Sequence, residues 1–378
     1  MARKPKQAPT YTDEVVELMF AAEEIEAGPL RVELFERAVR IADTHNDLDL
    51  AFQMRMELIE AATFGGMPEV SLVAFAWCLA KSDEDPERFD EEDLLWKYKW
   101  VFDQVVYFPQ VPMLKINEML ADFEKRCRKA GAGMHPTHTV TRSVRLSMGD
   151  LKAARIAHSK LNKSRKSGLS DCPACVADGE VDFYAITGQP QKAIRSSEVI
   201  FSGELTCAEV PTRTYAHVLL PLFSEGEIEL AANYHRKGFR LVTRNPKLIE
   251  YAAKHIVFLT LTDNLSAATK GLEKQFANAL QTTCLSWRFE LYRAAILLCD
   301  RYVDLGKPFR IRWPDAFDGI AKAERGEASI VRDWFRSEAE AIAAKFDRRN
   351  ENNWYAEQLD SLPKLKAGLT PYPISGSR

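Results

Sequence analysis

A turn residue followed five positions later by alanine recurs along this chain. The pairs are Gly149 with Ala154, Gly188 with Ala193, Gly226 with Ala231, and Asp263 with Ala268. Their first members lie 39, 38 and 37 residues apart. Asn46 with Ala51 is an earlier copy with less regular sequence around it. A period of this size marks a chain built from helix-pair repeats. The turn residue ends a first helix in a tight or left-handed conformation. The alanine, just inside the second helix, lets that helix pack closely against the first. One pair has more apolar surface than it can bury alone, so it stacks on the next.

The apolar spacing agrees. Leu285, Phe289, Tyr292, Ile296, Cys299 and Val303 fall at alternating steps of four and three, which places them on one helical stripe. Val32, Phe35, Val39 and Ala42 do the same. Strand-like alternation is almost absent. The run from Val257 to Leu261 is the best candidate, and it fits a buried helix over 247–262 as well. Phe309, Ile311 and Trp313 alternate between two prolines and read as an extended connector. Gly28-Pro29, Gly65-Gly66, Gly131, Gly133 and Asn245-Pro246 break the remaining helices at short intervals.

These observations divide the 378 residues into four parts. Residues 1–29 form an N-terminal segment and a capping helix over Thr12–Ala27. Residues 30–305 carry the repeats. Residues 306–361 form a connector and polar capping helices. The Pro- and Gly-bearing stretch 362–378 reads as a disordered tail.

The balance of 51 Lys and Arg against 54 Asp and Glu gives a net charge of −3. That removes the electrostatic reason to propose nucleic acid or an anionic membrane as the main partner. No apolar run is long enough to cross a membrane. Seven cysteines scattered over a long chain fit a reducing, cytoplasmic setting better than a disulfide framework.

The turn-then-alanine spacing, with Tyr184 in the first helix of its pair, resembles the tetratricopeptide repeat (TPR) superfamily over residues 30–305. The repeats here are longer than that family's usual ~34 residues, and its first-helix tryptophan has no counterpart. Pro211 and Pro246 come nearest its closing proline. The strings Asp171–Cys175, Cys207–Pro211 and Phe346–Asn350 look like pieces of an uncharacterised bacterial TPR-like family. The resemblance implies an all-α, right-handed TPR-like superhelix of roughly 15–18 helices. It also implies a concave groove lined by the first helix of each pair. Arg142, Arg145, Cys175, Asp178, Asp182, Arg213 and His217 would face into it, and a protein or peptide is the partner such a groove would hold.

Phosphate-cradling glycine loops, metalloprotease and hydrolase motifs, an EF-hand loop and kinase motifs are all missing. The expectation is a non-enzymatic scaffold, adaptor or regulator. Cys172-Pro-Ala-Cys175 is the one local feature with chemical content. Ser170 or Asp171 would cap a helix there and place Cys172 in its first turn, where the dipole favours a thiolate. Cys207 comes about one repeat later, with His217 and His235 on the following helices. No cofactor is expected beyond a structural zinc ion held by Cys172, Cys175, Cys207 and His217. Two other readings stay open: a dithiol redox pair, and plain filling of a helix junction. The alternative function is therefore a metal- or thiol-dependent regulator.

Other features have bland readings beside sharper ones. The aromatic cluster Trp96, Trp100, Phe102, Tyr107 and Phe108 is a core stripe or a docking patch. The basic run Lys160–Lys166 is a solvated helix end or a nucleic-acid contact. His135 and His138 read as surface or capping histidines, and the remaining cysteines as core.

Overall fold

The computed structural model describes residues 10–374 apart from positions 90 and 244. Helix is the regular structure of those residues, with no strand among them, and successive helices pack in adjacent pairs. The chain divides into two compact units.

The first unit holds α1 (Tyr11–Glu23), α2 (Pro29–Thr44), α3 (Leu48–Gly65), α4 (Pro68–Glu84) and α5 (Glu91–Val105), each packed on the next. The second half of α6 (Met113–Lys129) belongs with them. Helix α1 begins with a capping box. Thr10 accepts from the Asp13 amide, and the Asp13 carboxylate accepts from the Thr10 amide.

The second unit holds residues 106–120 and everything from position 133. Its helix pairs are α7 (His135–Ser147) with α8 (Leu151–Leu161), α9 (Pro173–Ile186) with α10 (Pro190–Phe201), α11 (Thr212–Ser224) with α12 (Ile228–Val242), and α13 (Ile249–Leu261) with α14 (Leu265–Gln281). The first helices also pack on one another in series, α7 on α9, α9 on α11, α11 on α13, and α13 on α15 (Leu285–Asp304). This is the stacking of a helical repeat. The run Val257–Leu261, ambiguous in sequence, is buried helix within α13.

Each junction has one design. Gly149, Gly188, Gly226 and Asp263 have φ of 77°, 73°, 82° and 60°, in the left-handed region. The amide of the next residue reaches back five positions to helix A: Asp150 to the Arg145 carbonyl (2.9 Å), Gln189 to Tyr184 (2.9 Å), Glu227 to Leu222 (2.9 Å), Asn264 to Leu259 (2.8 Å). That bond closes a Schellman motif. The carbonyl of the same residue accepts the first bond of helix B, and the donor is the repeat alanine: Ala154 (2.9 Å), Ala193 (3.1 Å), Ala231 (3.0 Å) and Ala268 (3.1 Å). All four alanines are fully buried. Asn46, Asp47 and Ala51 repeat the arrangement in the first unit. A larger side chain than alanine would lever helix B off helix A.

Residues 307–314 are non-helical, as the proline-bounded alternation predicts. Beyond them α16 (Ala328–Asn350) lies along α15 and buries Val331, Phe335, Ala339, Ile342 and Phe346. The string Phe346–Asn350 is structural. Phe346 stacks on Tyr355. Asp347 accepts from the amides of Tyr355 (2.9 Å) and Ala356 (3.0 Å), which start α17 (Trp354–Asp360). Arg349 donates to the carbonyls of Val106 (3.1 Å) and Phe108 (3.3 Å). Asn352 and Tyr355 then bond the last carbonyls of α7, at Met148 (2.9 Å) and Ser147 (3.3 Å). The end of the repeat series is thus tied to its start.

The tail expected to be disordered from position 362 is ordered as far as it is described. Leu362–Ala367 is a short helix, α18. Thr370 and Tyr372 then donate to the carbonyls of Leu261 (2.8 Å) and Thr262 (3.1 Å), and Ile374 donates to the Asn264 side chain (3.1 Å). Pro371 and Pro373 alternate with these donors, so the residues lacking an N–H occupy the positions that need none. Composition suggested disorder because prolines were counted without regard to that alternation. Positions 375–378 and 1–9 lie outside the described residues.

Gly149 and Gly188 separate two demands on a turn glycine. A Cβ on Gly188 would meet nothing within 4 Å, so only the left-handed backbone opposes substitution. A Cβ on Gly149 would fall 2.2 Å from the Trp354 ring. Gly188→Ala should therefore cost about 1 kcal/mol. Gly149→Ala should cost clearly more, and Ala193→Leu about 3 kcal/mol by overpacking. Thermal unfolding midpoints of the three variants check this ranking; equal losses at both glycines would refute the role given to Trp354.

Candidate functional site

The series α9, α11, α13 aligns charged residues one repeat apart on the face these helices share. Asp178 on α9 is 1% exposed. It accepts two bonds from Arg213 on α11 (3.0 and 2.7 Å) and one from the Thr214 hydroxyl (2.6 Å). Arg213 also reaches Glu209 (3.3 Å), which accepts from Lys247 (2.8 Å). One turn along α9, Asp182 is 2.6 Å from His217 Nδ1 and 3.3 Å from Lys254 Nζ, which is itself 2.8 Å from that Nδ1. Tyr251 stands edge-on to His217 with Lys254 over its ring. The side chains of Arg213, Asp182 and Lys254 are 27%, 25% and 26% exposed, so the network meets solvent along one side.

Burial would raise the carboxyls of Asp178, Asp182 and Glu209, but the cations beside them prevail and hold all three low: Arg213 and His217 for Asp178, His217 and Lys254 for Asp182, Arg213 and Lys247 for Glu209. Glu250 goes the other way. Burial raises it, Lys254 opposes, and the Asp182 and Glu290 charges add to the rise.

Arg142 lies on this side too, buried, with its guanidinium seated over Gly179. A Cβ at position 179 would fall 2.3 Å from Arg142 Nη2, so glycine is required for the seat. Its Nη1 has no hydrogen-bond partner among the described residues. Burial lowers the Arg142 pKa, and the carboxylates of Glu180 and Asp182 oppose that. Arg145 stands apart. It donates to Asn117 (2.5 Å) and rests on the Met113 sulfur (3.7 Å).

The cysteine corner sits at the start of α9. Cys172 itself is the N-cap, its sulfur accepting from the Cys175 amide at 3.4 Å, in place of the Ser170 or Asp171 expected there. Cys207 arrives from the 202–211 segment, and the three sulfurs lie within 4.8 Å of one another. Burial would raise the Cys172 thiol, but the Cys175 amide and thiol and the Cys207 thiol donate to it and lower it on balance. Cys175 is pushed up by burial and by the neighbouring Cys172 sulfur, against the Arg213 cation. His217 does not join them: its Nδ1 is engaged with Asp182 and Lys254. The four-residue zinc set of the sequence reading is corrected to three cysteines.

His235 also has another partner. Its Nδ1 is 2.9 Å from Nδ1 of His255 in a fully buried pair. His135 is buried at the start of α7, not on the surface. Trp96 and Trp100 are half-buried, with Lys99 3.5 Å over Trp96 and Lys97 over Trp100, which fits a core stripe roofed by lysines. Lys160 lies in the last turn of α8, where its charge suits the helix dipole.

Sequence reading missed Thr214, Glu209, Lys247, Glu250, Tyr251 and Lys254. A signal existed for some of them. Asp178 with Arg213, Glu209 with Lys247, and His217 with Lys254 are 35, 38 and 37 residues apart, each close to one repeat. No protein-family model matches the chain, and no curated protein matches it.

Two tests follow from this geometry. Arg213→Ala leaves the Asp178 carboxylate buried with a single hydroxyl donor and should cost about 3 kcal/mol. Lys254→Ala removes a part-exposed partner and should cost under about 1 kcal/mol. Equal shifts in melting temperature would contradict that reading. The second test concerns pH. Burial depresses His235 to about 3, and His255 well below its ordinary value. Both stay neutral when folded and take up protons when unfolded. Stability should be full above pH ~6.5 and fall by roughly 1.4 kcal/mol per histidine for each pH unit below it. Melting temperatures should fall accordingly from pH 7.5 to 5, and His235→Gln should flatten the profile; an unchanged profile in the variant would exclude the pair as its source.

Proposed function

We propose that this protein is a non-enzymatic binding module, a scaffold, adaptor or regulator whose helix pairs form a right-handed TPR-like superhelix. Its partner is a protein or peptide segment, bound along the face shared by α7, α9, α11 and α13. The observation that carries the reading is the charged network on that face. Asp182, Arg213 and Lys254 meet solvent, yet ion pairs and a buried layer hold them in position. Pre-positioned charges of both signs recognise an extended segment by hydrogen bonds and ion pairs at low entropic cost. The tie between α17 and α7 bounds the series, which favours a short segment over a long one. The repeat geometry supports the superfamily assignment. The convergence of three thiols favours a second reading, a metal- or thiol-dependent regulator using Cys172, Cys175 and Cys207.

Selection of a displayed random-peptide library on the immobilised full-length protein tests the binding module. A charged consensus should emerge, and its binding should weaken at least about tenfold in Lys254→Glu. Lys237→Glu, on the exposed side of α12, should bind as the parent does. Absence of any consensus, or equal weakening by both variants, would count against the reading.

A further inference from the structure

The corner made by Cys172, Cys175 and Cys207 has the dimensions of a metal site. Their sulfurs lie within 4.8 Å of one another, and all three are free thiols. A tetrahedral Zn²⁺ with bonds of about 2.3 Å sets its sulfurs roughly 3.8 Å apart, so closure needs a shift of about 1 Å or less. Two donors come from the cap and first turn of α9. The third comes from the 202–211 segment, held by the Cys207 amide on the Val210 carbonyl (3.1 Å) and the Leu205 amide on the Val199 carbonyl (3.2 Å).

The surroundings are graded. Ala174, Ile200 and Val210 form a buried apolar floor, Cys172 and Cys175 are half-buried beside it, and Cys207 is exposed. Among the described residues no histidine, carboxylate or further cysteine joins the three. A fourth coordination position would therefore open on the Cys207 side, toward solvent.

We infer that Cys172, Cys175 and Cys207 bind one Zn²⁺ per chain as thiolates, with the fourth position taken by water or by a donor from outside the chain. Each coordinating thiol gives its proton to solvent, up to three per ion, and no electron is transferred. Three thiolates and a divalent ion carry a net charge of −1, and the Arg213 cation acts on Cys175. The site narrows the thiol-or-metal alternative to metal and needs nothing from the peptide-binding reading. Its position links it to the charged face all the same. Cys207 lies two residues before Glu209 and Cys175 three before Asp178, the two carboxylates that hold Arg213. A bound ion would join the two backbone segments that present them.

The test uses full-length protein, reduced and stripped by a chelator, with Co²⁺ as the spectroscopic probe. One equivalent should produce thiolate-to-cobalt charge transfer and tetrahedral ligand-field bands, and one equivalent of Zn²⁺ should abolish them. Zn²⁺ affinity, read by competition with a chromophoric chelator, should fall at least about a hundredfold in Cys207→Ser. That residue is exposed in a loop, so the variant keeps its fold. His217→Ala should bind as the parent does. Absence of the charge-transfer bands in fully reduced protein, or parental affinity in Cys207→Ser, would overturn the site; a lost peptide consensus with intact metal binding would bear on the groove alone.

Discussion

One residue at each helix junction serves two helices. The residue after the left-handed turn gives its N–H to the end of helix A and its carbonyl to the alanine that opens helix B. Few backbone groups at the junction are left for water to satisfy, and the angle between the helices has little freedom. Everything downstream depends on this. Because the A helices are set at nearly constant intervals, side chains one repeat apart fall beside each other. Asp178 meets Arg213, and His217 meets Lys254, for that reason.

The junctions also explain what burial does to the charged face. Packing of α9 on α11 and of α11 on α13 buries Asp178 and takes the neighbouring carboxylates largely out of water. Burial alone would protonate such groups, yet Asp178, Asp182 and Glu209 are held low by cations from their own and later repeats: Arg213 and His217, His217 and Lys254, and Arg213 and Lys247. Glu250 has Lys254 but faces two more carboxylates, and there burial prevails. Ionisation on this face is thus set jointly by several repeats.

The junctions were legible in sequence because a left-handed residue and a packed alanine are local demands that few residue types meet. The cysteine corner was partly legible: Cys172, Cys175 and Cys207 converge as a spacing of one repeat suggests. His217 was misassigned because its distance along the chain fits either fate. Only the position of Asp182, one turn beyond Asp178, decides between them. Glu250 and Tyr251 were illegible for a related reason. They sit in an apolar helix, where nothing local marks the positions that look outward. The ordered tail was misread because composition carries no information about which backbone amides find acceptors.

The strict geometry of the A-to-B junction has a counterpart on the opposite edge. The repeat period drifts from 39 to 38 to 37 although the junctions do not change. Length is therefore absorbed elsewhere, in helix lengths and in the B-to-A connections. Residues 162–172 and 202–211 form two such connections, and they carry Cys172, Cys207 and Glu209. One edge of the array is under rigid architectural control and the other is free to vary in length and chemistry. For protein engineering this gives a usable map: new peptide segments belong in the B-to-A connections, while a single residue inserted between Gly188 and Ala193 would turn a helix by about 100° and dismantle the stack.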